Sequence, residues 1–225
     1  MSVRGTWWRA VVAVVAVVLG GCMPTAGPTA GPDEAAASVP TDYPVRLSPS
    51  EVEEAADTAG CTPLADTGAP DPAQHVAEDA PPAAGLYDRR PPTAGDHLGA
   101  WIEARPYDEA VDERAVVHNH EHGAVSVWYS PEAIDDDDLA TLHTWAEARN
   151  AELANDAGAG IVVAPFGDGL DGDATVAYRA WTGGLDCRGF DVVVADGFLL
   201  ERFGEAPEGG LAPDLAGLLE TATAV

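Results

Sequence analysis

The sequence predicts an α+β fold: a single domain with a small, mostly antiparallel sheet, one or two packed helices and long ordered loops rich in Pro and Gly. Three observations predict it. Residues 124–129, 161–164 and 175–181 are apolar runs of strand length, the last two separated by Gly/Asp turns. A helical stretch covers about 137–153, and four acids at 135–138 lie where the positive end of a helix dipole favours them. Residues 60 to about 113 hold many Pro and Gly and few periodic runs. That composition predicts ordered loop, and a loop region so long inside a domain is unusual unless it is functional. Roughly 150 to 170 ordered residues suffice for one substantial core.

From the N-terminus, Arg4 and Arg9 precede an apolar segment, 10–19, far short of the roughly 20 residues a spanning helix needs. A charged start, a short apolar run and a small-residue end describe a secretory signal. The end, Leu19-Gly20-Gly21-Cys22, resembles a bacterial lipobox, which implies diacylglycerol on Cys22 and cleavage just before it. An ordinary signal peptide or an uncleaved anchor is the alternative. On the first reading, residues 1–21 are a lipoprotein signal, 22–48 a tether and 49–225 the folded domain. The protein is then held at the outer face of the bacterial cytoplasmic membrane, with the membrane its partner through the lipid anchor. The tether contains Thr-Ala-Gly-Pro twice, at 25–28 and 29–32, and such composition buries no core.

A short helix is predicted from Ser50, where Ser50 and Glu53 form a capping-box pattern. Residues 115–118 and 124–129 read as two strands separated by a His-Glu-His-Gly corner, with Gly123 free to take a positive φ. Pro131 leads into the helix over about 137–153. Strands follow at 161–164 and 175–181. Residues 190–203 are ambiguous: Val192-Val193-Val194 favours a strand, whereas Gly197-Phe198-Leu199-Leu200-Glu201-Arg202-Phe203 suits a helix.

Net charge is −27, with every basic residue an arginine, and removing the two arginines of residues 1–21 takes it to −29. Such a surface repels nucleic acid and anionic lipid, so neither is an expected partner. It suits solubility in strong brine, and drift in a GC-rich genome accounts for it equally. Of the three cysteines, lipidation of Cys22 leaves Cys61 and Cys187. An even pair in an oxidising compartment is expected to form a disulfide rather than a metal site.

The most informative stretch is 114–128, where His118, His120 and His122 place half of the six histidines within five residues, with Glu121 between the last two. If the backbone is extended, all three rings point to one face; if it is helical, His118 and His122 still share a face at i, i+4. His75 and His97 sit in Pro/Gly-rich loops able to fold over them.

Three sets of residues resemble the motifs of the DUF3105 family, bacterial and often membrane-anchored extracytoplasmic domains of unknown function. They are Pro91-Pro92-Thr93-Ala94-Gly95-Asp96-His97, His118-Asn119-His120-Glu121-His122-Gly123 and Ala180-Trp181. The family pattern is similar to Pro-Pro-Thr-Ser-Gly-Pro-His, His-Asn-Leu-Glu-His-Gly and Thr-Ala-Trp-Gly. The resemblance covers about 60–208, including Gly60-Cys61, His75-Val76 and the closing Pro207-Glu208. Ala94, Asp96, His120 and Thr182 stand where the pattern has Ser, Pro, Leu and Gly. The His120 departure implies that His75, His97, His118 and His122 are the shared set and His120 an addition. No activity comes with the resemblance.

Three functional classes remain open. Three or four imidazoles, drawn from His75, His97, His118, His120 and His122 with Glu121, suit a Zn²⁺ or Cu²⁺ ion. Alternatively, the histidines bond backbone carbonyls and stiffen loops without metal, with Asn119 and Glu121 satisfying buried amides. In the third class Glu121 serves as general base beside a metal-bound water in a hydrolase. His-Glu-Xaa-Xaa-His, a Gly-Xaa-Ser-Xaa-Gly elbow and a phosphate-cradling loop are all absent from the sequence. An enzyme is therefore the least supported class. His143, alone in the long helix, is read as a surface or core-edge residue. Trp101, Trp128, Trp145 and Trp181 are read as core and rim aromatics, with Trp181 placed to line a pocket. No protein partner can be named from the sequence.

Overall fold

A computed structural model describes residues 46–65 and 73–215. The signal sequence, Cys22 and nearly all of the tether lie outside the described residues. The elements run α1 (Pro49–Thr58), β1 (Thr62–Pro63), β2 (His75–Val76), α2 (Ala83–Leu86), β3 (His97–Leu98), α3 (Glu113–Glu121), β4 (Val125–Tyr129), α4 (Asp136–Leu153), β5 (Ile161–Pro165), β6 (Val176–Ala180), β7 (Gly183–Cys187) and α5 (Val192–Arg202). A 3₁₀ turn at Gly209–Leu211 follows.

One sheet has the order β1-β7-β6-β4-β5, antiparallel throughout except for the parallel pair β4–β5. The second is the parallel pair β2–β3. This is the α+β domain that the sequence predicts. Helices α4 and α5 cover one face of the main sheet. Val125, Val127, Ile161, Val163, Val176 and Tyr178 pack there against Leu142, Trp145, Val194 and Leu199. The alternate residues Trp128, Val162, Ala164 and Ala177 face the other way, onto Ala104 and Val116 of α3. Because both faces are covered, every residue of β4 and β6 is buried. Under the first face, the Arg149 guanidinium of α4 donates to Asp196 of α5, and Trp145 Nε1 donates to the same carboxylate. Both charges are removed from water and paired, which is the condition for burying them.

Two sequence expectations need correcting, one open stretch is decided and one strand is added. The predicted strand at 115–118 is the core of helix α3. A short apolar run does not distinguish strand from helix, and the cap decides: Asp112 accepts from Arg114 N, with Glu113 in the first turn. The helix ends at Gly123, whose φ is 91° and where a Cβ would meet Gly204 Cα at 2.8 Å. Secondly, α1 is capped by Ser48 and Glu51 rather than Ser50 and Glu53, because Pro49 takes the first helical position. The ambiguous 190–203 stretch is helix α5, its three valines held in the first turn by Asp191, which accepts from Val193 N and Val194 N. Finally, β7 (Gly183–Cys187) is a strand with no alternating pattern to announce it.

The predicted strand at 124–129 is β4, those at 161–164 and 175–181 are β5 and β6, and the 137–153 helix is α4, shifted by one residue or less at most ends. Among the described residues of the 60–113 loop region, the elements ahead of α3 are two-residue strands and the four-residue α2. The expected disulfide is present: Cys61, just past α1, bonds Cys187 at the end of β7. Among the described residues, no helix is long and apolar enough to cross a membrane.

Candidate metal centre

Helix α3 lies between the main sheet and the β2–β3 pair, and its periodicity sorts its polar side chains. His118 and Glu121 at i, i+3, and His118 and His122 at i, i+4, share one side; His120 points to the other. The parallel pair β2–β3 sets His75 opposite His97. Packing β3 against α3 then brings two loop histidines over two side chains of the helix. One nitrogen each of His75, His97 and His118 and one oxygen of Glu121 all lie within 4.8 Å of one another.

Glu121 Oε2 is 3.0 Å from His97 Nε2 and 3.9 Å from His75 Nε2. The His75 and His118 rings stack at 4.9 Å, and His97 meets each of them edge-on at 5.0 Å. His97 and His118 are buried, whereas 57% of the His75 side chain is exposed. The set therefore has a dry floor and one solvent-facing ligand.

His122, the C-cap of α3, adjoins this set: its Nε2 is 3.0 Å from His118 Nε2 and 3.3 Å from Glu208 Oε2. Trp101 packs over both rings, 5.5 Å from His118 and 5.2 Å from His122, and remains 42% exposed. Trp181 stands edge-on to His97 at 6.3 Å, on the rim of the cluster.

Hydrogen bonds fix which ring nitrogens face inward. Nδ1 of His97 donates to Gly95 O, Nδ1 of His118 to Leu98 O and Nδ1 of His122 to Ala157 O. A carbonyl only accepts, so in each ring Nδ1 carries the hydrogen and Nε2 turns a lone pair into the cluster. Two such lone pairs face each other between His118 and His122, and a third faces the Glu121 carboxylate from His97. Each arrangement requires a cation between the partners, either a proton or a metal ion. Metal-binding histidines are commonly oriented in this way, with the second nitrogen bonded to a carbonyl or carboxylate. Burial lowers the pKa of His118, with its bond to Leu98 O opposing the shift and neighbouring histidines adding to it. The neutral, ligating form of that ring is thereby favoured.

His120 is placed apart. Its Nδ1 donates to Thr93 O and its Nε2 accepts from Ser126 Oγ, which in turn accepts from Trp128 Nε1. The ring is fully buried, and burial drives its pKa down to about 3. Both nitrogens are thus satisfied by the protein. Asn119 is likewise a staple: it accepts from Ile102 N and donates to Ile102 O and Gly158 O, holding the Trp101 loop against α3. His143 is half-buried on α4, edge-on to Tyr129 at 6.1 Å, and is not among the converging donors.

Glu208 is the functional candidate the sequence reading passed over, marking there only the end of the family-like region. It reaches the cluster because its backbone N donates to Glu121 O, beside the Gly123–Gly204 backbone contact. The family model described as Protein of unknown function (DUF3105) matches residues 81–214. No curated protein and no solved structure matches the chain.

Proposed function

The chain belongs to the DUF3105 family, and from that premise we propose that it is a lipid-anchored cell-envelope protein whose domain binds a divalent transition metal, Zn²⁺ or Cu²⁺, through His75, His97, His118 and Glu121. The observation that carries this reading is the convergence of four donor atoms within 4.8 Å. Two of those rings, His97 and His118, are turned inward by bonds from Nδ1 to carbonyls. Three imidazoles and a carboxylate are borderline-to-hard ligands that suit Zn²⁺ and Cu²⁺ better than Cu(I). The only thiols of the described domain are spent on the Cys61–Cys187 disulfide. A bound divalent ion would supply the positive charge that the facing lone pairs of His97 and Glu121 require, and the exposed His75 gives it a way in.

The structural reading has a specific observation in its favour at His120, whose two nitrogens are both bonded within the protein. It accounts less well for His97 and His118, each of which bonds a carbonyl through one nitrogen and turns the other toward a further donor atom. Metal analysis of the purified full chain separates the two. One or more equivalents of Zn²⁺ or Cu²⁺, reduced on His118→Gln substitution, support the metal reading. Metal content that is negligible, and unaltered by adding either ion, leaves the rings as staples.

Anchoring rests on the sequence: Arg4, Arg9, the apolar 10–19 run and Cys22 at its small-residue end. The signal directs export, Cys22 carries the lipid, and the acidic domain stands off the membrane on its tether. A Cys22→Ser variant tests this. It should leave the detergent-soluble membrane fraction and lose the lipid mass; membrane retention without lipid on Cys22 contradicts it.

A further inference from the structure

The cluster contains a second set of ligands beside the first. His118 and His122 face each other through Nε2 at 3.0 Å, and Glu208 Oε2 stands 3.3 Å from His122 Nε2. Zinc-type bonds of about 2.0–2.1 Å in a tetrahedron place neighbouring donors about 3.3 Å apart, so both separations suit one shared ion. Each histidine is at least nine-tenths buried, with Nδ1 committed to a carbonyl, Leu98 O or Ala157 O. Either a proton on one of these rings or a metal ion must therefore sit between the two Nε2 atoms. Glu208, with 56% of its side chain exposed, is the solvent-facing member, as His75 is in the first set.

We propose that the domain holds two divalent transition-metal ions side by side, the first on His75, His97 and Glu121 and the second on His118, His122 and Glu208. This rests on the metal reading above and extends it. His118 Nε2 has a single lone pair, so it serves one ion at a time. With one ion bound it completes the first set; with two bound it turns to the second. Each ion then has two histidines and one carboxylate, and open positions for water or an oxyanion. Paired ions of this kind clamp both oxygens of a substrate in displacement chemistry, which gives the site a ligand class: an oxyanion bridging two metals, reached from the side of the exposed His75 and Glu208.

The test is Co²⁺ titration of the metal-stripped full chain, read by visible absorption and by native mass spectrometry. The wild type should take up two ions. Glu208→Gln, which alters an exposed side chain and so spares the fold, should take up one. His122→Gln should do the same, and Glu205→Gln, removing a nearby surface carboxylate, should still take up two. Uptake that stops at one in the wild type, or stays at two in Glu208→Gln, overturns the second position while leaving the first intact. A wild type that binds no Co²⁺ overturns both readings together.

Discussion

His120 Nε2 lies 2.8 Å from Ser126 Oγ, and this bond ties α3 to β4 on the side of the helix turned away from the other histidines. Two residues on either side of it in sequence, the rings of His118 and His122 face the cluster instead. The pair His120–Ser126 is thus a staple inside a histidine motif. Replacing His120 with Ala leaves Ser126, Thr93 and a cavity without their partner. Lost hydrogen bonds and the cavity should together cost about 3 kcal/mol, read as a lower urea midpoint. Metal stoichiometry should not change.

Thr182 occupies the turn between β6 and β7 with φ 57°. A β-branched residue is strained there, and the family pattern similar to Thr-Ala-Trp-Gly has glycine at this position. Thr182→Gly should therefore stabilise the domain by about 1 kcal/mol, seen as a higher thermal midpoint. An unchanged or lower midpoint would show that the neighbouring strands already absorb the strain.

Asp112 caps the helix that carries His118 and Glu121. It accepts from Arg114 N and pairs with the Arg114 guanidinium, and those bonds hold its pKa below the ordinary 3.8. Its contribution is therefore fully present above pH 3.8 and is lost as pH falls through the lower folded-state value. Asp112→Ala should cost about 1 kcal/mol at pH 7. The gap between the two proteins should narrow in denaturation curves measured below pH 3.8.

The Cys61–Cys187 disulfide spans 126 positions of the sequence and joins the end of α1 to the end of β7. Its cross-link limits the unfolded chain more than it shapes the fold, so the Cys61→Ser/Cys187→Ser double variant should lose about 2–4 kcal/mol. Reduction of the wild type should produce the same loss, and agreement between the two denaturation midpoints is the check.

How much of this was legible in the sequence depended on where the deciding information lay. Strands β4, β5 and β6 and helix α4 announced themselves through local apolar runs and caps. Helix α3 did not: Ala115-Val116-Val117 favours a strand on its face, and the cap that overrules it is Asp112, outside the apolar run. Without that helix, His120 is indistinguishable from a ligand, since an extended backbone turns His118, His120 and His122 the same way. His75 and His97 were legible as candidates, but their pairing is a long-range contact between two loops. Glu208 was not legible at all as a site residue, because a chain reversal through Gly204 brings it beside Glu121.

Whether His75, His97, His118 and Glu121 hold a divalent ion is decided by calorimetric Zn²⁺ titration of the chelator-treated full chain. It should be run beside His97→Gln, with circular dichroism to confirm that the variant is folded. The wild type should bind Zn²⁺ saturably, with binding lost or weakened more than about tenfold in the folded variant. Binding that is absent in the wild type, or equally tight in His97→Gln, contradicts the metal reading.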